Sequence, residues 1–244
     1  MLRKTAIITG AFGGIGKATA EKFAKNGYNL ALTYYNTFDT DFIDHLKTLG
    51  AEVLALHVDQ KNESDIINFV NSAFKEFEYI DAAIFCAGKA EEECALVEKS
   101  TDVIDEILNT NLRGTILFNR EVLKFFTKQK HGHIVNVSSV FGQTGGSLES
   151  IYSATKAAII NLTRTLGTEV SPFVRVNCVA PGFIETKMTS SYSAETKKYI
   201  KCETPLERLG TPEDVANSIF FLTQEESSFI TGDVLEITGG AVRL

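Results

Sequence analysis

Apolar and polar positions along the chain form two kinds of segment, and their alternation predicts the fold. Short continuous apolar runs such as 82–86 are typical of strands buried on both faces, whereas apolar residues at every third or fourth position are typical of amphipathic helices. The predicted strands lie near 4–9, 29–34, 52–58, 80–86, 133–138, 174–179 and 233–237. The predicted helices cover 16–26, 39–49, 64–77, 102–127, 151–170 and 213–223. This order predicts an α/β fold, a doubly wound parallel seven-stranded sheet with helices on both faces, as a single domain over 1–244.

The composition narrows the class of protein. A net charge of -7 disfavours nucleic-acid binding, which requires lysine and arginine to neutralise phosphates. No apolar run approaches the roughly 18 residues of a membrane span, and the first strand begins too early for a signal segment. The four cysteines lack Cys-x-x-Cys spacing, which disfavours a metal site and fits a reducing compartment. We therefore expect a cytoplasmic protein with no membrane, nucleic-acid or metal partner.

A glycine-rich turn follows the first predicted strand. Gly10, Gly14 and Gly16 lie between that strand and the first predicted helix. Glycine lets the backbone approach a diphosphate closely, and a helix N-terminus attracts anions. Although the spacing differs from the common G-x-G-x-x-G fingerprint, the turn indicates a dinucleotide site. A glycine turn that binds no ligand is the alternative.

Tyr152 and Lys156 are the strongest candidates for chemistry. Four residues separate them, so a helix places both side chains on one face. An ammonium group beside a phenol stabilises the phenolate, and we therefore expect Lys156 to lower the Tyr152 pKa from its usual value near ~10. Two surface residues of a helix would show the same spacing, so the interpretation depends on the other motifs.

Together these features resemble the short-chain dehydrogenase/reductase family, and the resemblance covers almost the whole chain. Thr9-Gly-x-x-x-Gly14-x-Gly16 resembles its cofactor loop, and Val135-Asn-Val-Ser-Ser139 resembles the strand that carries its catalytic serine. Residues 176–182 resemble its Pro-Gly motif, and Asn111 stands where the family has an asparagine. Segments 205–216 and 229–240 are most similar to the branch that reduces 3-oxoacyl groups on acyl carrier protein.

The resemblance implies a Rossmann-like fold and a role for each matching residue. Tyr152 would protonate a carbonyl oxygen that Ser139 holds, Lys156 would bind the nicotinamide ribose, and Asn111 would hold a water that relays protons. From sequence, Ser138 is an alternative to Ser139. The implied dinucleotide contacts are Gly10, Phe12, Gly13, Gly14, Ile15, Gly16, Asp59, Gln60, Ala87, Gly88, Tyr152, Lys156, Gly182 and Ile184. Phe85 and Cys86 depart from the family's Asn-Asn-Ala-Gly motif, so contacts there would come from the backbone.

The cofactor is expected to be NADPH, with NAD not excluded. An acidic residue near Tyr34 would repel a 2′-phosphate, and an arginine near Tyr35 or Gly13 would bind one. The sequence has neither. Lys17 could contribute, although we expect it to face solvent.

The substrate is expected to be a carbonyl compound, either a small molecule or an acyl group on its carrier protein. Segment 183–205 is predicted to form a lid, in which Phe183, Met188 and Tyr192 line an acyl pocket or pack against another subunit. A positive cluster is expected near the predicted active face, where it could meet an acidic carrier or form a solvated turn; it consists of Lys124, Lys128, Lys130, His131 and His133. Against carrier binding, residues 170–174 lack the arginine typical of that branch.

Three functions follow. The first is reduction of a 3-oxoacyl thioester, the second is the reaction of another short-chain dehydrogenase that acts on a sugar, steroid or small alcohol, and the third is dinucleotide sensing without catalysis. The intact Ser139, Tyr152 and Lys156 disfavour the last. The resemblance also implies a homotetramer built from the apolar faces of helices 102–127 and 151–170.

Overall fold

Seven parallel strands form one sheet in the computed structural model, which describes residues 3–241. The strands are β1 (Thr5–Thr9), β2 (Asn29–Tyr34), β3 (Val53–His57), β4 (Ala82–Phe85), β5 (Gly132–Val137), β6 (Val174–Pro181) and β7 (Val234–Ile237). They lie in the order β3-β2-β1-β4-β5-β6-β7, and each neighbouring pair is parallel. The predicted doubly wound parallel sheet is confirmed.

Helices cover both faces of this sheet. They are α1 (Gly14–Lys25), α2 (Thr40–Thr48), α3 (Glu63–Phe77), α4 (Thr101–Ile107), α5 (Gly114–Gln129), α6 (Phe141–Thr144), α7 (Ser150–Glu169), α8 (Ala194–Glu203) and α9 (Pro212–Leu222). Phe23 of α1 and Ile219 of α9 belong to one buried apolar cluster. Phe69 of α3, Phe118 of α5 and Leu166 of α7 belong to a second, on the other face. Two cores, one on each face, explain why the strands are apolar along their whole length.

Two predicted segments differ from the structure. The helix predicted over 102–127 is divided, because a π-helical segment, Leu108–Arg113, joins α4 to α5. From the start of α5, the Thr115 hydroxyl donates to the carbonyl oxygen of Asn111 in this segment at 2.7 Å and so takes part of that group's hydrogen-bonding capacity. The predicted lid segment 183–205 contains helix α8, whose start is marked by the Ser193 side chain accepting from the Thr196 backbone N–H.

The loops that follow the strands bring the sequence motifs to one edge of the sheet. Gly10 follows β1, Ser139 lies two residues after β5, and Gly182 follows β6. Gly10 has a φ of +62°, and a Cβ added to Gly16 would lie 2.1 Å from the Gly10 carbonyl oxygen. The turn between β1 and α1 therefore requires glycine at both positions.

Several features are absent from the described part of the chain. None of the helices within residues 3–241 has the length and apolarity needed to cross a bilayer. The same residues contain no cluster of histidine, cysteine or acidic side chains suited to a metal ion. All four cysteines lie within this range and are free thiols.

Candidate functional site

A cavity of about 970 Å³ opens at the carboxyl edge of the sheet. Its wall combines residues that follow β4, β5 and β6 with residues from α7 and from segment 183–205. The residues that matter below are Ile15, Cys86, Gly88, Glu91, Ser139, Tyr152, Lys156, Gly182, Ile184 and Tyr192. Ligands of open parallel sheets bind at this edge, so the cavity is the candidate site.

Tyr152 and Lys156 lie together in this cavity because α7 begins beside it. Tyr152 is in the first turn of α7, and Lys156 follows one turn later. The Lys156 Nζ lies 5.5 Å from the centroid of the Tyr152 ring. It donates to the Val137 carbonyl oxygen at 2.9 Å, and the lysine is 4% exposed. A phenol and an amine therefore share a largely dehydrated space.

The predicted lowering of the Tyr152 pKa is wrong for this structure. Burial raises the pKa of Tyr152 to about 12, and the Glu149 carboxylate adds to the increase, while a hydrogen bond with Ser139 opposes it. Burial also lowers the pKa of Lys156 to about 8, because the charged ammonium loses hydration. Spacing alone does not reveal this loss of hydration. The phenol is consequently protonated at neutral pH, as a proton donor must be.

The two serines after β5 have different environments. The Ser139 hydroxyl lies near the Tyr152 phenol, whose pKa it acts to lower, and it accepts from the Phe141 backbone N–H at 3.2 Å. The Ser138 hydroxyl donates to the Lys156 carbonyl oxygen at 2.8 Å and is 3% exposed. Ser139 is thus the serine beside the phenol, whereas Ser138 fixes α7 to the end of β5.

Asn111 uses its side-chain amide to hold the loop after β4. Its Oδ1 accepts from the Lys89 backbone N–H at 2.8 Å, and its Nδ2 donates to the Lys89 carbonyl oxygen at 2.8 Å. A Cβ added to Gly88 would lie 3.5 Å from Asn111 Oδ1 and 3.6 Å from Lys156 Nζ. Asn111 and Lys156 therefore flank Gly88.

The glycine turn leaves the start of α1 available to an anion. In the described residues, α1 has no side-chain cap and no acidic residue in its first turn. By contrast, α2, α3 and α9 are capped by Asp39, Asn62 and Thr211. The uncapped N–H groups and positive dipole end of α1 fit the diphosphate of a dinucleotide.

Segment 183–205 packs against this turn. A Cβ added to Gly14 would lie 2.6 Å from the Thr186 methyl carbon, so Thr186 rests directly on the glycine. Phe12 packs against three aromatic side chains. The centroid of its ring lies 5.8 Å from that of Tyr34, 5.5 Å from that of Phe38 and 5.9 Å from that of Phe42.

Three polar residues predicted near the dinucleotide have protein partners. Asp59 Oδ1 accepts from the Lys61 backbone N–H at 2.9 Å, so the aspartate also stabilises a turn. The Gln60 amide donates to the Thr110 carbonyl oxygen at 2.6 Å and holds the π-helical segment. Lys17, expected to face solvent, is partly exposed and forms an ion pair with Asp39.

The predicted positive cluster does not lie near the cavity. His133 is the second residue of β5, and residues 124–131 precede it, so the cluster is at the amino edge of the sheet. Lys124 pairs with Glu121 at 2.6 Å. Burial lowers the pKa of His133 to about 3, so this histidine is neutral. The cluster is therefore not a surface that presents positive charge beside the active face.

Two contacts between cavity-lining residues were not predicted from the sequence, although Tyr192 itself was expected to line an acyl pocket. Glu91 accepts from the Tyr152 backbone N–H at 2.9 Å and pairs with Lys99 at 3.1 Å. Tyr192, from segment 183–205, donates to Glu93. Both contacts join residues more than 60 positions apart or in different loops, and no local pattern in the sequence signals them.

Comparisons with known proteins agree with this geometry. Residues 10–242 match a family described as enoyl-(acyl carrier protein) reductase. A 3-oxoacyl-[acyl-carrier-protein] reductase, FabG, of Aquifex aeolicus is 38% identical over 97% of this chain and 96% of its own length. The chain belongs to the short-chain dehydrogenase/reductase family. It is thus an oxidoreductase that acts on carbonyl or hydroxyl groups.

Solved structures of this family have the same fold. ElxO with NADP bound is 33% identical, with a TM-score of 0.91 and 98% of each chain covered. A short-chain type dehydrogenase/reductase of Mycobacterium ulcerans is 26% identical, with a TM-score of 0.93, over 98% of this chain and 89% of its own. Where the family has two asparagines before Ala87, this member has Phe85 and Cys86, and Cys86 contributes to the cavity wall.

Proposed function

We propose that this protein reduces the 3-oxo group of an acyl chain carried by acyl carrier protein, with NADPH as the hydride donor, in fatty acid synthesis. The observation that carries the proposal is the meeting of Tyr152, Ser139 and Lys156 in one cavity beside the uncapped start of α1. The names of the relatives support the substrate, and the NADP held by ElxO supports the cofactor.

The residues around the glycine turn would bind the dinucleotide. Gly10, Gly13, Gly14 and Gly16 would allow the diphosphate to approach the N–H groups of α1, with Phe12 and Ile15 completing the turn. Asp59 would contact the adenine end, beside Gln60. The backbone of Ala87 and Gly88, together with Gly182 and Ile184, would hold the nicotinamide end, because Gly88, Gly182 and Ile184 line the cavity.

The bound nicotinamide would supply a hydride to the carbonyl carbon. Tyr152 would then donate its proton to the carbonyl oxygen as that oxygen gains the electron pair of the broken π bond. The Ser139 hydroxyl would hold the same oxygen. Lys156, whose pKa is lowered by burial to about 8, is largely protonated at neutral pH and would stabilise the phenolate that forms. Asn111, on the other side of Gly88, would help to return a proton from solvent through a water.

The cavity wall accommodates an acyl chain but also carries acidic groups. Phe183, Met188 and Ile200 supply apolar surface, and segment 183–205 would act as a lid over it. Glu92 and Glu93 also line the cavity. Their carboxylates would disfavour an anionic group close to the reacting carbon, so the test includes substrates of the related dehydrogenases.

The test measures binding first and turnover second. We expect NADPH to bind more tightly than NADH in a fluorescence titration, and an acetoacetyl thioester to oxidise the bound NADPH, followed by absorbance. The same thioester on acyl carrier protein should be the better substrate. Turnover of sugars or small alcohols without thioester reduction would instead identify a related dehydrogenase. Cofactor binding without turnover of any carbonyl substrate would identify a dinucleotide sensor.

The assembly and the compartment are part of the same proposal. We infer a homotetramer in which the exposed apolar residues Val103, Leu108 and Ile116 of α4, the π-helical segment and α5 pack against another copy. Light scattering after size-exclusion chromatography would give four times the mass of 26.8 kDa. A cytoplasmic location is consistent with four free cysteines.

A further inference from the structure

We propose that Glu91 is a positioning residue that fixes the start of α7 and thereby aims Tyr152. The inference deepens the proposed function and rests on Tyr152 being the proton donor. Glu91 lies in the loop after β4, 61 residues before Tyr152 in the sequence. Its carboxylate does not need to reach the phenol, because it holds the backbone of the same residue.

Helix α7 depends on this distant carboxylate for a cap. In the part of the chain that the structure describes, the residue before α7, Glu149, makes no capping hydrogen bond, and the first turn has no acidic residue. Instead, Glu91 Oε1 accepts from the Tyr152 N–H at 2.9 Å. A negative charge at a helix N-terminus satisfies an otherwise unpaired N–H and interacts favourably with the helix dipole.

Lys99 fixes the carboxylate and the residue that leads into α7. Its Nζ lies 3.1 Å from Glu91 Oε2, and both side chains are fully buried, with 0% exposure. The same Nζ donates to the Leu148 carbonyl oxygen at 3.1 Å and to the Glu92 carbonyl oxygen at 3.0 Å. Leu148 has a φ of +66°, a conformation that costs a non-glycine residue energy and persists where its surroundings hold it.

The ion pair thus acts on both sides of the start of α7. Lys99 holds Leu148, four residues before Tyr152, and Glu91 holds Tyr152 itself. Proton transfer depends on the donor lying within hydrogen-bond reach of the acceptor, and a misplacement of about 1 Å can cost on the order of 10²-fold in rate. Loss of Glu91 should therefore reduce kcat although the side chain takes no part in the chemistry.

Three variants separate positioning from general stability. Glu91→Ala removes the cap and leaves Lys99 buried without its partner, which by itself can destabilise the fold. The double variant Glu91→Ala with Lys99→Met removes both charges and replaces the ion pair with apolar side chains. Glu91→Gln keeps an oxygen that can accept from the Tyr152 N–H. Glu121→Ala is the matched control, because Glu121 is also a largely buried carboxylate paired with a lysine, but within α5.

The measurements are kcat and KM, the Kd for NADPH, and hydrogen exchange of peptides covering 146–156. In the double variant we expect kcat to fall by at least about tenfold, on the order of what a displaced donor costs, with the NADPH Kd unchanged. Amides in the first turn of α7 should exchange faster. Glu91→Gln should keep most of the wild-type kcat and protection, and Glu121→Ala should resemble the wild type in both.

Several results would overturn the inference. A stable double variant with wild-type kcat, unchanged exchange at the start of α7, or an equal loss in Glu121→Ala would each do so. If the wild type reduces another carbonyl compound but no thioester, the proposed substrate fails, and kcat is measured on that compound instead. If the wild type reduces nothing, hydrogen exchange alone decides whether Glu91 holds α7.

Discussion

The two edges of the parallel sheet both bury ionisable side chains, and those at the carboxyl edge line a cavity. At the carboxyl edge, Lys156 and Tyr152 meet in a space of about 970 Å³. At the amino edge, Asp81 accepts from the Thr5 N–H at 2.8 Å, and His133 lies opposite Ala82 of β4. Burial shifts pKa values at both edges, raising that of Asp81 and lowering that of His133 to about 3.

The comparison teaches that a shifted pKa does not by itself identify an active site. Among the described residues, the buried His133 Nδ1 has no hydrogen-bond partner, so its burial reduces stability without an evident chemical use. Burial of the Lys156 ammonium group also reduces stability, but this amine lies beside a phenol at the wall of a cavity. The combination of shifted groups with space for a ligand is what makes the carboxyl edge the candidate site.

The largest expected effect is at Tyr152. Tyr152→Phe keeps the ring packing and removes the proton that would be donated. We expect kcat to fall by about 10²-fold to 10⁴-fold, the range for a general acid, while the NADPH Kd persists. Steady-state kinetics and fluorescence titration measure the two quantities. A kcat close to that of the wild type would show that the Tyr152 phenol is not the proton donor, and the carboxyl edge would lose its proposed chemical role.

The second effect is on stability at the carboxyl edge. Because the folded-state pKa of Lys156 is lowered from 10.5 to about 8, the unfolded chain binds more protons between these pH values, and stability rises as pH increases through them. Below pH 8 the buried lysine costs about 3 kcal/mol. Lys156→Met should therefore be more stable at pH 7 and lose that rise. Urea unfolding from pH 7 to pH 10 tests this, with the exposed Lys75→Met as the control.

A smaller effect is expected at the amino edge. The folded-state pKa of His133 is lowered from 6.5 to about 3, so the unfolded chain takes up a proton that the folded chain excludes, and stability falls as pH drops below 6.5. At pH 5 this amounts to about 2 kcal/mol. His133→Leu should reduce the difference in unfolding free energy between pH 7 and pH 5 by that amount and leave kcat at pH 7 unaltered. A loss of kcat would mean that the two edges are not independent.

The smallest effect is expected at His131, which neighbours His133. Its imidazole is partly exposed and lies 3.9 Å from Asp81 Oδ1. Ion pairs of this kind contribute less than about 1 kcal/mol, so His131→Ala should change the unfolding free energy at pH 5 by no more than that. If His131→Ala changed the unfolding free energy as much as His133→Leu does, the difference in exposure between the two histidines would not explain their effects on stability.

Local patterns predicted the sheet and the central pair of residues. Continuous apolar runs located the strands, because a strand buried on both faces needs apolar side chains throughout. Tyr152 and Lys156 were recognisable because one helical turn joins them and because the glycine turn and the Ser139 motif accompany them. The division of helix 102–127 escaped prediction, since the apolar spacing continues across the π-helical segment.

Features that depend on distant parts of the chain could not be predicted from sequence. The raised Tyr152 pKa reflects burial by loops that the spacing of two residues does not describe. In the sequence, Glu91 is the first of three consecutive glutamates and nothing distinguishes it from the other two. Its contact with Tyr152 forms only when the loop after β4 is folded. The expected place of the positive cluster was wrong because His133 is the second residue of β5 and therefore lies at the amino end of that strand.

The position of β1 has a consequence for how the protein is made. β1 pairs with β2 on one side and with β4 on the other. While the ribosome has released only the first three strands, the side of β1 that later meets β4 is an open, apolar edge, which favours association with other nascent chains. The glycine turn after β1 is synthesised well before Tyr152, and chaperones that shield strand edges should act in that interval.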